Sequence, residues 1–286
     1  MLTYFQAIIF GLLQGITELF PISSLGHSVL LPKLLGWNID QHAPFFLTFL
    51  IATHFATALV LFFYFFKEWK RIFAGIFRSL KEREIRESDA DAKLGWLIVV
   101  ATIPAGILGI LFEKTFAELF ANPQLVAGVL VLNGLLLLGA ERIRKRKTEK
   151  REETHSNKRI AKLTWMQAIK VGLLQCIALI PGFSRTGATL TGSLLEGLSH
   201  EDAARFAFLL ATPIIGAAAL LKLPELAGAN DKATLIPILI GAITAGIAAY
   251  FSVRFLIKYF ETKTLTPFGV YCCIVGGVLT ILFFFY

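Results

Sequence analysis

The sequence predicts an all-α polytopic membrane protein, with six transmembrane helices and two re-entrant helical hairpins in an inverted-topology repeat. Three observations predict this fold class. Of the 286 residues, 56% are hydrophobic and only 17% are charged, whereas about 25% are charged in soluble domains. The hydrophobic residues form runs of the length that a helix needs to cross a bilayer. The first half of the chain also recurs, with changes, in the second half.

The composition argues against several other classes of protein. Intrinsic disorder requires few apolar residues and a high net charge, whereas 56% of this chain is hydrophobic. A disordered protein is therefore excluded. The three cysteines, Cys176, Cys272 and Cys273, lie in apolar runs, so we interpret them as buried apolar residues rather than a disulfide framework. The formal net charge is +8, but the basic residues flank apolar segments, which is typical of membrane topology rather than of nucleic-acid binding. We therefore expect no nucleic-acid partner.

Six apolar runs have about the length of a transmembrane helix, which is roughly 20 residues. They cover residues 43–66, 94–112, 123–140, 206–221, 233–253 and 264–286. The fourth run is short, and its helix is expected to begin near Glu201 or Asp202, because acidic residues stabilise the first turn of a helix.

Two further apolar stretches are interrupted by breaks rich in Pro, Gly and Ser. Residues 4–20 lead into PISSLGH, and residues 163–180 lead into PGFSRTGA. A short apolar helix follows each break, and neither is long enough to span the bilayer. Each stretch is therefore predicted to enter and leave on one side, as re-entrant hairpins at residues 4–37 and 163–198.

The hairpins belong to an internal repeat. AIIFGLLQGI (residues 7–16) matches AIKVGLLQCI (residues 168–177) at seven of ten positions, and a proline break follows both. The predicted repeats are residues 1–141 and 163–286, joined by a basic cytoplasmic linker at 142–162. Each repeat holds three spanning helices, an odd number, so the second must be inverted relative to the first.

The distribution of basic residues predicts the orientation. With the N-terminus outside, loops 67–93, 141–163 and 254–263 lie inside and carry 8, 10 and 3 Lys plus Arg. Only four lysines lie in the outside segments. The positive-inside rule therefore predicts a multi-pass protein of the cell (inner) membrane with both termini outside and the basic loops cytoplasmic.

The tip of the first hairpin carries ionisable residues at membrane depth, where they are costly and usually functional. Gln14 and Glu18 are four residues apart on one helix face, and Ser23, Ser24 and His27 follow the break. The alternative for Glu18 and His27 is a buried pair that only joins helices. Either serine would also cap the next helix whether or not it touched a substrate.

The tip of the second hairpin, PGFSRTGAT, has the features of a phosphate site. Arg185 lies at a predicted helix start, where free N–H groups favour an anion, and its guanidinium can hold two phosphate oxygens. The other candidate ligand-binding residues are Gly182, Ser184, Thr186 and Thr189. The alternative is a salt bridge from Arg185 to Glu18. His54, in the middle of an apolar run, is interpreted as either a neighbour of the site or a hydrogen-bonded core residue.

These two tips, QGITELFPISSLGH and PGFSRTGAT, resemble the undecaprenyl-diphosphate phosphatase family, also called bacitracin-resistance proteins, over nearly the whole chain. The resemblance implies a membrane hydrolase that converts undecaprenyl diphosphate to undecaprenyl phosphate and inorganic phosphate, recycling the lipid carrier for peptidoglycan synthesis. It also implies a divalent cation, Mg²⁺ or Ca²⁺.

The family's motifs carry over onto particular residues of this chain. The acidic motif falls on Gln14 and Glu18, the following serine and histidine on Ser24 and His27, and the phosphate-binding motif on Ser184, Arg185 and Thr189. Many members have glutamate where this chain has Gln14. Glu18 is therefore expected to hold the cation largely alone, with Gln14 as the second ligand.

Phosphoryl transfer requires positioning, charge neutralisation and an in-line nucleophile. Three nucleophiles are open: Ser24 activated by His27, His27 itself, or water oriented by Glu18. We favour His27 as base or nucleophile, because its reference pKa suits proton transfer at neutral pH.

The alternative function is a transporter or flippase for a phosphate-bearing lipid or anion, since inverted repeats with broken helices are a transporter architecture. The expected partners are the polyprenyl diphosphate substrate and membrane lipids. The oligomeric state is left open, a homodimer included.

Overall fold

The computed structural model describes residues 2–41, 43–112, 122–144, 156–227 and 232–285, and their regular secondary structure is helical throughout. The first half holds α1 (Tyr4–Thr17), α2 (Ser24–Leu34), α3 (Pro44–Tyr64), α4 (Phe66–Glu82), α5 (Ala90–Leu111) and α6 (Pro123–Arg144). The second half holds α7 (Ser156–Ala161), α8 (Trp165–Gln175), a 3₁₀ turn (Cys176–Leu179), α9 (Arg185–Leu195), α10 (His200–Ala227), α11 (Lys232–Phe260) and α12 (Thr266–Phe285).

Six of these helices are long and apolar enough to cross a bilayer, which confirms the predicted fold class. They are α3, α5, α6, α10, α11 and α12. Helix α10 begins at His200, with Glu201 and Asp202 in its first turn. The short fourth run is thus extended at its N-terminus, as the acidic residues predicted.

The two interrupted stretches form pairs of short helices, α1 with α2 and α8 with α9, and their ends are built alike. Thr3 and Thr164 each form a capping box, with Gln6 and Gln167 respectively. Ser23 Oγ accepts the N–H of Gly26 at 3.1 Å, and Ser184 Oγ accepts that of Gly187 at 3.0 Å. The same local rules therefore shape both halves of the chain.

Contacts between helix ends are consistent with hairpins that return to their own side. Leu2 before α1, Trp37 after α2 and Phe46 near the start of α3 belong to one hydrophobic cluster. In this cluster the ring of Phe10 lies 5.9 Å from that of Trp37 and 5.4 Å from that of Phe46. At the other end, Glu141 near the end of α6 bonds to His200 at the start of α10 at 2.6 Å. Helices α6 and α10 flank the second hairpin, so this contact is what a returning hairpin requires.

Each hairpin packs closely against a spanning helix from the other half of the sequence. A Cβ at Gly11 of α1 would lie 2.5 Å from the carbonyl oxygen of Gly241 in α11. A Cβ at Gly172 of α8 would clash with the backbone carbonyl oxygen of Ala101 in α5. Gly11 and Gly172 occupy equivalent places in the internal repeat. Glycine at both positions thus allows the hairpins to approach their partner helices. The boundaries of the two repeats remain a prediction.

The prediction that residues 67–93 form a loop was wrong. Only Phe65 separates α3 from α4, which continues to Glu82. Helix α4 packs against α5, where Trp96 Nε1 donates to Ser79 Oγ at 2.9 Å. Frequent charged residues hide this helix in the sequence, although Trp69, Ile72 and Ser79, at successive spacings of three and seven residues, share one buried face.

The predicted basic linker, residues 142–162, is also partly helical. Helix α6 continues to Arg144 and α7 lies within the linker, while residues 145–155 lie outside the described part of the chain. Arg159 of α7 donates to Asp202 of α10 at 2.6 Å, and this hydrogen bond raises the pKa of the Arg159 guanidinium. The described part of the linker is thus bonded to the helix ends beside it.

Candidate active site

The tips of the two hairpins meet at Glu18, whose side chain is buried. Ser24 Oγ donates a hydrogen bond to Glu18 Oε2 at 2.5 Å, and Arg185 Nη1 lies 3.7 Å from Glu18 Oε1. Ser24 is the first residue of α2 and Arg185 is the first residue of α9. Helix N-termini carry positive partial charge and free N–H groups. Two of them therefore converge on one carboxylate, and this arrangement is suited to an anion.

Three side-chain groups lie within 3.2 Å of a single oxygen of Glu18, Oε2. Besides Ser24, Gln14 Nε2 donates to Oε2 at 3.1 Å and His54 Nε2 lies 3.2 Å from it. His54 Nδ1 is 2.8 Å from the carbonyl oxygen of Leu50, which can only accept. Both ring nitrogens of His54 therefore have oxygen partners among the described residues. His54 is thus a neighbour of the site rather than an isolated core residue.

His27 lies beside this cluster but is bonded elsewhere. Its Nδ1 is 2.7 Å from the carbonyl oxygen of Ser23, and its Nε2 is 2.9 Å from the hydroxyl of Tyr271 in α12. The carbonyl fixes the proton on Nδ1, so in the neutral ring Nε2 accepts from Tyr271. Within the described residues, the carboxylate of Glu18, and not His27, is the base in hydrogen-bonding contact with Ser24.

Ser23 adopts an unusual backbone conformation between the two halves of the first hairpin. Its φ is 70°, a region that residues other than glycine rarely occupy. Its side chain caps α2 through Gly26, while its carbonyl accepts from His27. Such strain persists where the surroundings enforce it, often at functional sites. Ser23 thus helps to set the positions of both Ser24 and His27.

In the second tip, Arg185 makes the direct contact with Glu18 while the other predicted residues build the tip. Ser184 caps α9, and Thr186 Oγ1 donates to the backbone carbonyl of Glu18 at 2.9 Å. Thr189 Oγ1 donates to the carbonyl of Arg185 at 2.8 Å, within its own helix. Gly182 has a φ of 104°, and a Cβ there would lie 2.7 Å from the carbonyl oxygen of Val126 in α6. Glycine thus lets the tip approach α6.

Asn133, in the middle of α6, joins the two tips and was missed in the sequence. Its Nδ2 donates to the carbonyl of Pro21 at 3.0 Å, and its Oδ1 accepts the N–H of Ser184 at 3.0 Å. One buried amide therefore satisfies a backbone group from each hairpin. A lone asparagine inside an apolar run was the available signal, since polar groups at membrane depth rarely lack a role. Tyr271 was missed because nothing local distinguishes it.

The residues beside Glu18 fit a divalent cation. Gln14 Oε1 is buried and has no hydrogen-bond partner among the described residues, so it is an amide oxygen available to a ligand. Mg²⁺ is commonly held by one or two carboxylates and by substrate phosphates. Within the described residues no group of three or more His, Cys, Asp or Glu could hold a metal by itself. Glu18 and Gln14 would thus supply a carboxylate and an amide oxygen to a cation, and a phosphate ligand would have to supply further oxygens.

Comparisons with known proteins give a consistent picture. A family model described as bacitracin resistance protein BacA matches residues 7–278. An undecaprenyl-diphosphatase 2 of Frankia alni is 42% identical, covering 99% of this chain and 98% of that protein. An undecaprenyl-diphosphatase of Mycobacterium avium is 43% identical, covering 96% of both chains. An undecaprenyl-diphosphatase 2 of Burkholderia ambifaria is 46% identical, covering 94% of this chain and 93% of that protein.

Proposed function

The chain belongs to the BacA family of bacitracin resistance proteins, and we propose that it hydrolyses undecaprenyl diphosphate to undecaprenyl phosphate and inorganic phosphate. This reaction recycles the lipid carrier of peptidoglycan synthesis and confers bacitracin resistance. The observation that carries the proposal is the convergence of Ser24 and Arg185, each at a helix N-terminus, on Glu18. A hydroxyl bonded to a carboxylate supplies a nucleophile and a proton acceptor, and an anion transporter requires neither.

Arg185 is poised to bind the terminal phosphate. Its distance of 3.7 Å from Glu18 is too long for a hydrogen bond, and its Nη1 is buried without a hydrogen-bond partner in the described part of the chain. A phosphate oxygen would satisfy this donor, together with the free N–H groups in the first turn of α9. The guanidinium would then stabilise charge on the phosphoryl group in the transition state.

Ser24 is the nucleophile that this geometry favours. As Oγ attacks the terminal phosphorus, its proton passes to Glu18 Oε2, and the bond from that phosphorus to the bridging oxygen breaks, releasing undecaprenyl phosphate. Water then attacks the phosphoserine and the Oγ–P bond breaks. Oγ regains its proton from Glu18. One hydrogen of the water stays on the inorganic phosphate and the other is released to solvent.

A bound Mg²⁺ or Ca²⁺ would neutralise charge on the diphosphate, and Glu18 and Gln14 are the residues that would hold it. The oxygens of Glu18 already lie beside Ser24 and Arg185, and Gln14 bonds to the same carboxylate, so the cation, the phosphate and the hydroxyl would share one small volume. Ser24 and Arg185 contact Glu18 within one and the same chain. We therefore propose that one chain is sufficient for the reaction, whether or not a homodimer forms.

His27 is proposed to act as a positioning residue through Ser23 and Tyr271. We expect Tyr271→Phe to lower the rate of phosphate release by about five- to tenfold, because Nε2 of His27 loses one hydrogen bond of about 1 kcal/mol. The pH–rate profile should also shift, since Nε2 no longer accepts from a phenol. Tyr250→Phe in α11 is the matched control, which should leave both unchanged. An unchanged rate and profile in Tyr271→Phe would exclude the contact from catalysis.

We propose that both termini lie outside and that the basic segments face the cytoplasm. In a variant without the three native cysteines, Glu84→Cys and Glu261→Cys should react with an impermeant thiol reagent only from the cytoplasmic side. Asn38→Cys, between α2 and α3, should react only from outside. All three positions are exposed. Reaction of Asn38→Cys from the same side as Glu84→Cys would contradict the predicted crossings.

The reaction itself is tested with purified protein in detergent, undecaprenyl diphosphate and Mg²⁺. We expect release of inorganic phosphate, and a loss of release when the divalent cations are chelated. Binding of the lipid without release of phosphate would favour the transporter alternative. The relatives named as diphosphatases support hydrolysis over transport.

A further inference from the structure

Helix α4 has three distinct faces, and the described residues of the chain cover only one of them. Trp69, Ile72 and Ser79 are buried on the face that packs against α5. A second face is an apolar stripe of side chains that are at least 50% exposed: Phe66, Phe73, Phe77 and Leu80. Their spacing of seven, four and three residues places them along one line of the helix. Such a stripe would be unfavourable in water, so it requires a cover.

The third face is basic. Its exposed cations are Lys67, Lys70, Arg71, Arg78 and Lys81. Arg71 and Arg78 pair with Asp91 and Asp89 at the start of α5. Asp89 is held ionised, because the N–H of Ala92 and the guanidinium of Arg78 lower its pKa more than partial burial raises it. Among the described residues the three lysines have no carboxylate partner, and they follow one edge of the apolar stripe.

The connections of α4 place it at the level where spanning helices end. A single residue, Phe65, separates its start from the end of α3. Its middle contacts the first turn of α5, where a Cβ at Gly75 would lie 2.5 Å from the backbone nitrogen of Ala92. Arg205, in the second turn of α10, also bonds to Glu68 of α4 at 2.5 Å. Helix α4 therefore lies against the ends of three spans, the level at which the surface of a bilayer is expected.

We propose that α4 is an interfacial helix that binds anionic lipid. The stripe of Phe66, Phe73, Phe77 and Leu80 inserts at the boundary of the acyl chains, and the lysine edge, Lys67, Lys70 and Lys81, binds the phosphates of anionic headgroups. Apolar residues flanked by lysines are the composition of helices that lie in a membrane interface. Basic residues at the surface attract anionic lipid. The proposal rests on membrane insertion and not on the chemistry at Glu18.

The depth of the stripe is measured with a fluorescent thiol label in protein reconstituted into liposomes, in the variant without native cysteines. Phe73→Cys and Ala74→Cys are adjacent and about 100° apart around the helix, and both positions are exposed. We expect lipids brominated in the acyl chain to quench the label at position 73, and aqueous iodide to quench it at position 74. Iodide quenching at both positions would overturn the insertion. A label at position 73 that neither agent reaches, with crosslinking of two copies through the thiol introduced there, would instead show a protein interface.

The preference for anionic lipid is measured with spin-labelled phosphatidylglycerol and phosphatidylcholine. The triple variant Lys67→Gln, Lys70→Gln, Lys81→Gln should lower the relative association of phosphatidylglycerol by at least about threefold. The matched control removes three exposed lysines elsewhere, in the triple variant Lys158→Gln, Lys258→Gln, Lys263→Gln. It should change the relative association of phosphatidylglycerol only slightly. Equal effects of the two triple variants would overturn the lysine edge as the lipid site. Phosphate release in detergent should be unchanged in both, so failure here is distinguishable from failure of the proposed function.

Discussion

Arg185→Ala is expected to reduce the release of phosphate on the order of 10³- to 10⁵-fold, the range that arginine side chains contribute to phosphoryl transfer. Arg185 is the cation of the second tip that contacts Glu18, and its Nη1 is a buried donor left unsatisfied in the described structure. Removing it takes away the positive charge opposite the developing phosphoryl charge. The helix dipole and N–H groups of α9 would remain, which explains why some activity should survive.

Arg185→Lys should restore little of this activity, because an ammonium group lacks the planar fork that holds two oxygens. The measurement is steady-state release of phosphate by purified protein, alongside thermal unfolding to show that the variants fold. Arg254→Ala is the control for loss of an arginine, since Arg254 is exposed on α11. Activity within tenfold of the unchanged protein in Arg185→Ala would remove Arg185 from the site.

The parts of the fold that follow local rules could be predicted from the sequence. Apolar runs of bilayer length predicted the six spans, and the breaks at Pro21 and Pro181 predicted the divided hairpins. Helix α4 could not be predicted by the same signal, because its stability comes from packing Trp69 and Ile72 against α5 rather than from a continuous apolar run. Amphipathic periodicity was the signal that could have identified it.

The candidate site likewise contains residues that could be predicted from the sequence and contacts that could not. Glu18, Ser24 and Arg185 were identified because charged or nucleophilic groups beside breaks in apolar helices have few structural explanations. The pair of Arg185 with Glu18 was one of the alternatives from the sequence, but the pair of Ser24 with Glu18 was not: His27 was favoured as base or nucleophile, and the structure instead places Glu18 in hydrogen-bonding contact with Ser24. Which two side chains meet depends on how the two hairpins dock, and Asn133 of a third helix bonds to the backbone of both hairpins. Such long-range contacts leave little local trace.

The pairing of Ser24 with Glu18 leads to the other prediction of a large effect. Ser24→Ala should lower the release of phosphate on the order of 10⁴-fold or more, as the loss of a covalent nucleophile does. Glu18→Gln should lower it by about 10²- to 10⁴-fold, because a carboxamide cannot accept the proton of Ser24. Ser28→Ala is the matched control, a buried serine in the same helix whose Oγ has no hydrogen-bond partner among the described residues.

Acid quenching of a reaction with substrate labelled in its terminal phosphate identifies the nucleophile directly. With Ser24 as nucleophile, the unchanged protein should retain an acid-stable phosphoserine that Ser24→Ala lacks. An acid-labile, base-stable phosphoryl group would instead indicate His27, since phosphohistidine has that stability. Full activity in Ser24→Ala, with no phosphoprotein trapped, would mean that water oriented by Glu18 attacks the phosphorus. In that case Glu18→Gln should remain the more damaging variant, because the base acts on the water in place of the serine hydroxyl.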